Sequence, residues 1–146
     1  MMGKHSWFVL AMSLLCFAAL VRRACADSCP DYQVTLYASG RVEYLGKGYV
    51  CETGPRTSVV DANAAARLIA DLRDGGLFES PWISNDDFTD AAVVLMKLSI
   101  GGRQEWIRDN HGDWSAPDLP RRFEQQIDYV AATYQWDCPD GRKVGD

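Results

Sequence analysis

One stretch, Arg108-Asp109-Asn110-His111-Gly112-Asp113-Trp114, puts a histidine among three carboxylates or carboxamides. An imidazole beside Asp109 and Asp113 offers the base and the orienting acid of a hydrolytic triad, which also needs a nucleophile converging on the same point. No serine stands in a Gly-x-Ser-x-Gly elbow, and Cys29, Cys51 and Cys138 read more readily as disulfide partners than as nucleophiles. Asp, Asn, His and Gly also gather in turns, because they tolerate left-handed backbone. The stretch is therefore read first as a turn between a strand and a helix. His111, Asp90 and Asp109 are kept as the catalytic candidates.

A second acidic run, Asn85-Asp86-Asp87-Phe88-Thr89-Asp90, raises calcium. Asp86, Asp87 and Asp90 offer hard oxygen ligands, and Asp109, Asn110 and Asp113 could complete the set if the two loops met. Neither run has the spacing that wraps one calcium ion, so a solvated acidic loop is the default and Asp90 reads as a backbone cap. One imidazole beyond residue 26 and no C-x-x-C pair give zinc little support, so no metal and no cofactor is expected. No pair of carboxylates can be singled out for glycoside cleavage.

The N-terminus suggests export. Lys4 precedes an uncharged, mostly apolar run from Trp7 to Val21, and Ala24-Cys25-Ala26 fits a small-x-small cleavage site. The run is shorter than the roughly 20 residues of a spanning helix. The expectation is a secretory signal over 1–26 and one domain over 27–146, in a periplasmic or secreted protein. The alternative is an uncleaved N-terminal anchor, with lipid-modified Cys25 the weakest option. The signal would remove three basic and no acidic residues, taking the formal charge from −5 to −8. A chain that acidic has no footprint for phosphate backbones, so nucleic acid is not an expected partner.

The elements follow from periodicity. Tyr32, Val34 and Leu36 alternate with polar residues, Ser39-Gly40 offers a turn, and Val42 and Tyr44 resume the alternation: a hairpin. A third extended piece runs across Gly54-Pro55. Asp61 is placed to cap a helix whose stripe is Ala65, Leu68, Ile69 and Leu72, stopped by Gly75-Gly76. A second hairpin turns at Gly101-Gly102. Its preferred register sets Leu98 against Trp106 rather than Glu105, to keep apolar side chains on one face. Phe123, Ile127, Val130 and Tyr134 mark a last helix with Asp118 as cap and Pro120 in its first turn. The tail from Asp137 reads as polar and frayed. Order βββαββα predicts a two-layer α+β domain, an antiparallel sheet of four to five strands with two helices on one face.

Of the three cysteines beyond residue 26, Cys29 precedes the first strand and Cys51 lies just past the second. Antiparallel pairing about Ser39-Gly40 brings them opposite each other, so a Cys29–Cys51 disulfide is expected, with Cys29–Cys138 as its rival. Trp82 and Trp114 fall in loops. They could form an interaction patch, but plugging the ends of a small core is the preferred reading.

The chain resembles a bacterial family of unknown function, DUF6438, from about Cys29 to Trp136. The likeness rests on Cys29, Pro30, Tyr32, Val34, Leu36, Gly40, Val42, Tyr44 and Gly46, then Phe78-Glu79-Ser80, Thr89-Asp90, and Asp109, Gly112 and Pro117. Ala91-Ala92 stand where the family often has a proline. The resemblance implies an α+β fold, often exported, and carries no substrate, cofactor or catalytic residue. The leading functional expectation is an exported, non-catalytic module that binds a protein or envelope partner. The alternative is a small hydrolase or calcium-assisted enzyme using His111 with nearby carboxylates.

Overall fold

The computed structural model describes residues 16–25, 28–76, 91–115 and 118–138. Its elements are β1 (Phe17–Arg22), β2 (Asp31–Tyr37), β3 (Arg41–Gly48), β4 (Gly54–Val59), α1 (Ala62–Asp74), β5 (Val93–Ile100), β6 (Arg103–Asn110), α2 (Asp118–Ala131) and α3 (Tyr134–Asp137). The strands form one antiparallel sheet of six, in the order β4-β3-β2-β1-β5-β6. The α+β class is as expected, and the strand count of four to five is not.

The extra strand is β1. Residues Phe17–Arg22, at the end of the apolar run read as a signal, enter the sheet between β2 and β5, with Leu20 opposite both Val34 and Met96. Ala18 and Leu20 are fully buried beneath the helices. A cut after Ala26 would remove this strand from between β2 and β5. No helix among the described residues is long and apolar enough to cross a membrane.

Strands β2 and β3 alternate throughout as half-buried strands must. Tyr32, Val34, Leu36, Val42, Tyr44, Val94, Met96, Leu98 and Ile107 turn to one face and form a single core with both longer helices. In α1, Asp61 caps the N-terminus by accepting from the Asn63 N–H at 3.2 Å, and the buried stripe is Ala65, Leu68, Ile69 and Leu72. That helix is as read from the sequence.

The second hairpin is not. Leu98 pairs with Glu105, and Trp106 pairs with Lys97 on the opposite face, where the ammonium lies 5.1 Å from the indole centre. Gly101 (φ 57°) and Gly102 (φ 81°) both take left-handed backbone, which makes a two-residue turn compatible with the strands' twist. The register slipped by one would have buried Trp106 and exposed Ile107 and Asp109.

The disulfide expectation is also overturned. The bonds are Cys25–Cys29 and Cys51–Cys138, with Cα separations of 5.5 and 5.6 Å. The cause is β1: the chain leaves it at Arg22 and returns into β2 at Asp31, so Cys25 and Cys29 face each other across that connection. Cys51 instead meets Cys138, just past α3, where the Glu52 N–H donates to the Trp136 carbonyl at 2.9 Å. Neither Cys29–Cys51 nor its rival Cys29–Cys138 forms. The tail is accordingly tied down as far as Cys138, which is buried. Trp136 packs on Tyr44 with ring centres 4.9 Å apart. Trp114 plugs nothing, being 91% exposed, and Trp82 lies outside the described residues.

Candidate functional site

Register builds the site. Tyr32 pairs with Arg22, Arg22 with Val94, and Val94 with Asp109, so one row across four strands carries three polar side chains on the helix-facing side. Above it, α2 lays down Arg121, Glu124 and Asp128 at spacings of three and four, one face of a helix. The helix end and the sheet end thus enclose a buried polar layer beside the apolar core.

Two groups of contacts make up the layer. In the first, Arg22 Nη2 and Nε donate to Asp128 Oδ2 at 2.8 and 3.1 Å. Tyr32 Oη and Thr133 Oγ1 donate to Asp128 Oδ1 at 2.8 and 2.6 Å. In the second, His111 Nε2 lies 2.9 Å from Glu124 Oε1 and 3.4 Å from Asp109 Oδ2. Arg121 Nε approaches Asp109 Oδ2 at 3.5 Å, and Arg22 Nη1 approaches Glu124 Oε1 at 3.9 Å, linking the groups. Asp109 is 2% exposed and Glu124 1%. The oxygens Asp109 Oδ1 and Oδ2 and Glu124 Oε2 have no hydrogen-bond partner of good geometry.

Burial and pairing set the charges. Asp109 and Glu124 in front of Nε2 push the His111 imidazole up to about 9. Burial pushes the Glu124 carboxyl up to about 7, against the pull of His111. Burial also opposes the charge of Asp109, but the approach of His111 and Glu124, with the positive charges of His111 and Arg121, holds that carboxyl below its ordinary range. Burial raises Tyr32, and Asp128 adds to it. The second group therefore holds a cationic imidazole between a firm carboxylate and one that ionises near neutrality.

His111 lies in a turn, as expected, with its N–H donating to the Ala92 carbonyl at 2.9 Å. Its side chain is nevertheless part of the polar layer, so the turn does not exhaust its role. Asp109 joins it. Asp113 does not: its Oδ1 accepts from the Ser115 N–H at 3.0 Å, and Asn110 Oδ1 accepts from the Gly112 N–H at 2.9 Å, both closing the turn. Asp86, Asp87 and Asp90 fall outside the described residues. Sequence reasoning missed Glu124, Arg121, Asp128, Tyr32 and Arg22. The signal for Glu124 was present: Pro120, Glu124, Ile127 and Ala131 recur at four, three and four, and all are buried. Tyr134, expected on that helix face, is 54% exposed because α2 ends at Ala131 and Ala132 is left-handed. Asp118, expected as the cap, is the first helical residue.

His111, Arg22, Tyr32, Asp128 and Asp137 open onto a groove of about 480 Å³ at this end of the sheet, with Tyr129 at its edge. Residues 18–131 match the family model DUF6438, described as a domain of unknown function. The chain belongs to the DUF6438 family. No curated protein matches it. The DUF6438 match runs from β1 to the end of α2, so it begins inside the stretch read as a signal and takes in the polar layer except Thr133.

Asp137 gives this DUF6438 domain a measurable pH signature. Burial, with repulsion from Asp128 next, pushes its carboxyl up to about 6. Its folded form thus holds a proton more tightly than the unfolded chain does. That contribution is present at low pH and is lost as pH rises through the folded value. Asp137→Asn should unfold at higher urea than wild type at pH 8, by about 1 kcal/mol after allowing for partial solvent screening. The two proteins should converge below pH 4. Equal stability at both pH values would remove the buried-charge account.

Proposed function

We propose that this DUF6438 domain is a non-catalytic binding module of an oxidising, exported compartment, taking a partly apolar segment of a partner protein into the groove beside α2. One observation carries the reading. Four polar groups of the groove are committed to one another, with Tyr32, Thr133 and Arg22 all donating to Asp128, while Tyr129 and Tyr134 stand 79% and 54% exposed beside it. A fixed polar floor with tyrosines at the rim suits recognition, because tyrosine supplies contact area at little conformational cost. The same commitments leave neither floor hydroxyl available as a nucleophile. Two disulfides favour an oxidising compartment.

The hydrolytic alternative keeps one supporting observation, a groove-edge imidazole held by two buried carboxylates. One experiment separates the readings. The oxidised protein is immobilised and offered envelope and secreted-protein fractions. The binding reading expects a partner retained by wild type and weakened at least about tenfold by the pair Tyr129→Ala and Tyr134→Ala. A partner held equally by the double variant would move recognition away from the groove. Turnover of simple ester or amide probes, lost in His111→Gln, would favour the hydrolase.

A further inference from the structure

We propose that Asp109, His111 and Glu124 form a binding site for one divalent first-row transition cation, zinc foremost, reached from the groove past His111. The inference goes beyond the groove's role in recognition. It also reverses the expectation of no metal, which rested on a single imidazole and no thiolate pair. The missing donor, Glu124, comes from α2.

Three observations support it. One donor atom from each residue lies within 4.8 Å of the other two. Zinc bonds nitrogen and carboxylate oxygen at about 2.0–2.2 Å, which places tetrahedral donors roughly 3.3 Å apart. The spacings from His111 Nε2, 2.9 Å to Glu124 and 3.4 Å to Asp109, bracket that figure. Second, the two carboxylates are buried, and Asp109 Oδ1 and Glu124 Oε2 have no hydrogen-bond partner, while Asp109 Oδ2 has only the long approaches of His111 at 3.4 Å and Arg121 at 3.5 Å. Buried carboxylate oxygens left in that state are costly, and a cation would satisfy them. Third, the side chain of His111 is 31% exposed and lines the groove, whereas those of Asp109 and Glu124 are 3% and 2% exposed. A fourth ligand would therefore approach from the groove side.

The charges around the site must be compatible. Arg121 Nε at 3.5 Å from Asp109 and Arg22 Nη1 at 3.9 Å from Glu124 are the facing cations. Arg22 is already neutralised by Asp128. Arg121 stands where the outer partner of a ligating carboxylate stands in metal centres. The donor set of one imidazole nitrogen and two carboxylates selects zinc over calcium, which prefers six to eight oxygens.

The test uses the full, untagged chain with its disulfides intact, stripped with a chelator and titrated with zinc chloride alone by calorimetry. One zinc should bind per chain, and cobalt(II) in its place should give the intense visible bands of a tetrahedral site. His111→Gln and Glu124→Gln should each weaken zinc about 100-fold or more, since even outer partners of ligands are worth about 10–100-fold. Where Glu124→Gln fails to fold, the less buried His111→Gln carries the test, with circular dichroism showing the native fold. Absence of saturable zinc binding, zinc binding undiminished in His111→Gln, or calcium bound in preference to zinc would each overturn the proposal and leave the three residues as an ion cluster joining β6 to α2.

Discussion

A chain beginning at residue 27 should fail to fold, giving a collapsed amide NMR spectrum and no cooperative melt where the full chain gives both. The missing β1 is an interior strand: β2 pairs with one of its edges and β5 with the other. Its loss opens two strand edges at once and strips Ala18 and Leu20 from the core. It also removes Arg22, leaving the partly buried Asp128 without its guanidinium. Truncating one buried leucine to alanine costs about 2–5 kcal/mol, against a total stability of about 5–15 kcal/mol for a typical domain. Loss of the whole strand exceeds any such margin. A dispersed spectrum and a sharp melt from the shorter chain would disprove the six-stranded sheet and support Ala26 as the domain boundary.

Cys51→Ser should cost about 4–5 kcal/mol in urea unfolding. The Cys51–Cys138 bond joins residues 87 apart, and in the chain-entropy model a loop of that length is worth about 4.6 kcal/mol. Cys25–Cys29 spans only four positions and by the same relation is worth about 2 kcal/mol. The ordering of the two costs is the sharper expectation, because strain and residual structure affect each absolute value. Non-reducing peptide mapping checks the premise. Peptides joined through Cys51 and Cys138 should appear, and a Cys29–Cys51 link would sink the prediction together with the pairing.

The parts legible in the sequence are those whose pattern is local. Tyr32, Val34 and Leu36 alternate with polar partners, and Asp61 caps a helix with one clean stripe, so both elements followed from their own residues. In β1 the alternation is hidden: Ala18 and Leu20 face the core, but Phe17, Ala19 and Val21 on the other side are apolar too. Without contrast between faces, a strand and a leader read alike. The disulfide pairing is hidden for the same reason, since without β1 nothing places Cys25 beside Cys29. In the β5–β6 hairpin, hydrophobicity favoured burying Trp106, whereas the Gly101-Gly102 turn sets the register and puts Lys97 against that indole. At the site, Asp109 and His111 were visible by residue type. Glu124 was masked because a charged residue at a stripe position looks like an interruption, and only the third dimension shows His111 beneath it.

The position of β1 has a kinetic consequence as well. Strands β1 to β4 form a meander of neighbours along the chain, and β5 and β6 form another, so each set can pair by closing short loops. The two sets meet only where β1 pairs with β5, and there Leu20 faces Met96 from 76 positions away. Closing that seam carries the largest entropic cost of any strand pairing in the sheet, and it is met before most of the core is buried. Strand β1 therefore waits for β5, and until then its apolar edge is a template for a second chain. Crowded refolding should select against this protein at that seam, through intermolecular pairing of β1, well before it does so at either hairpin.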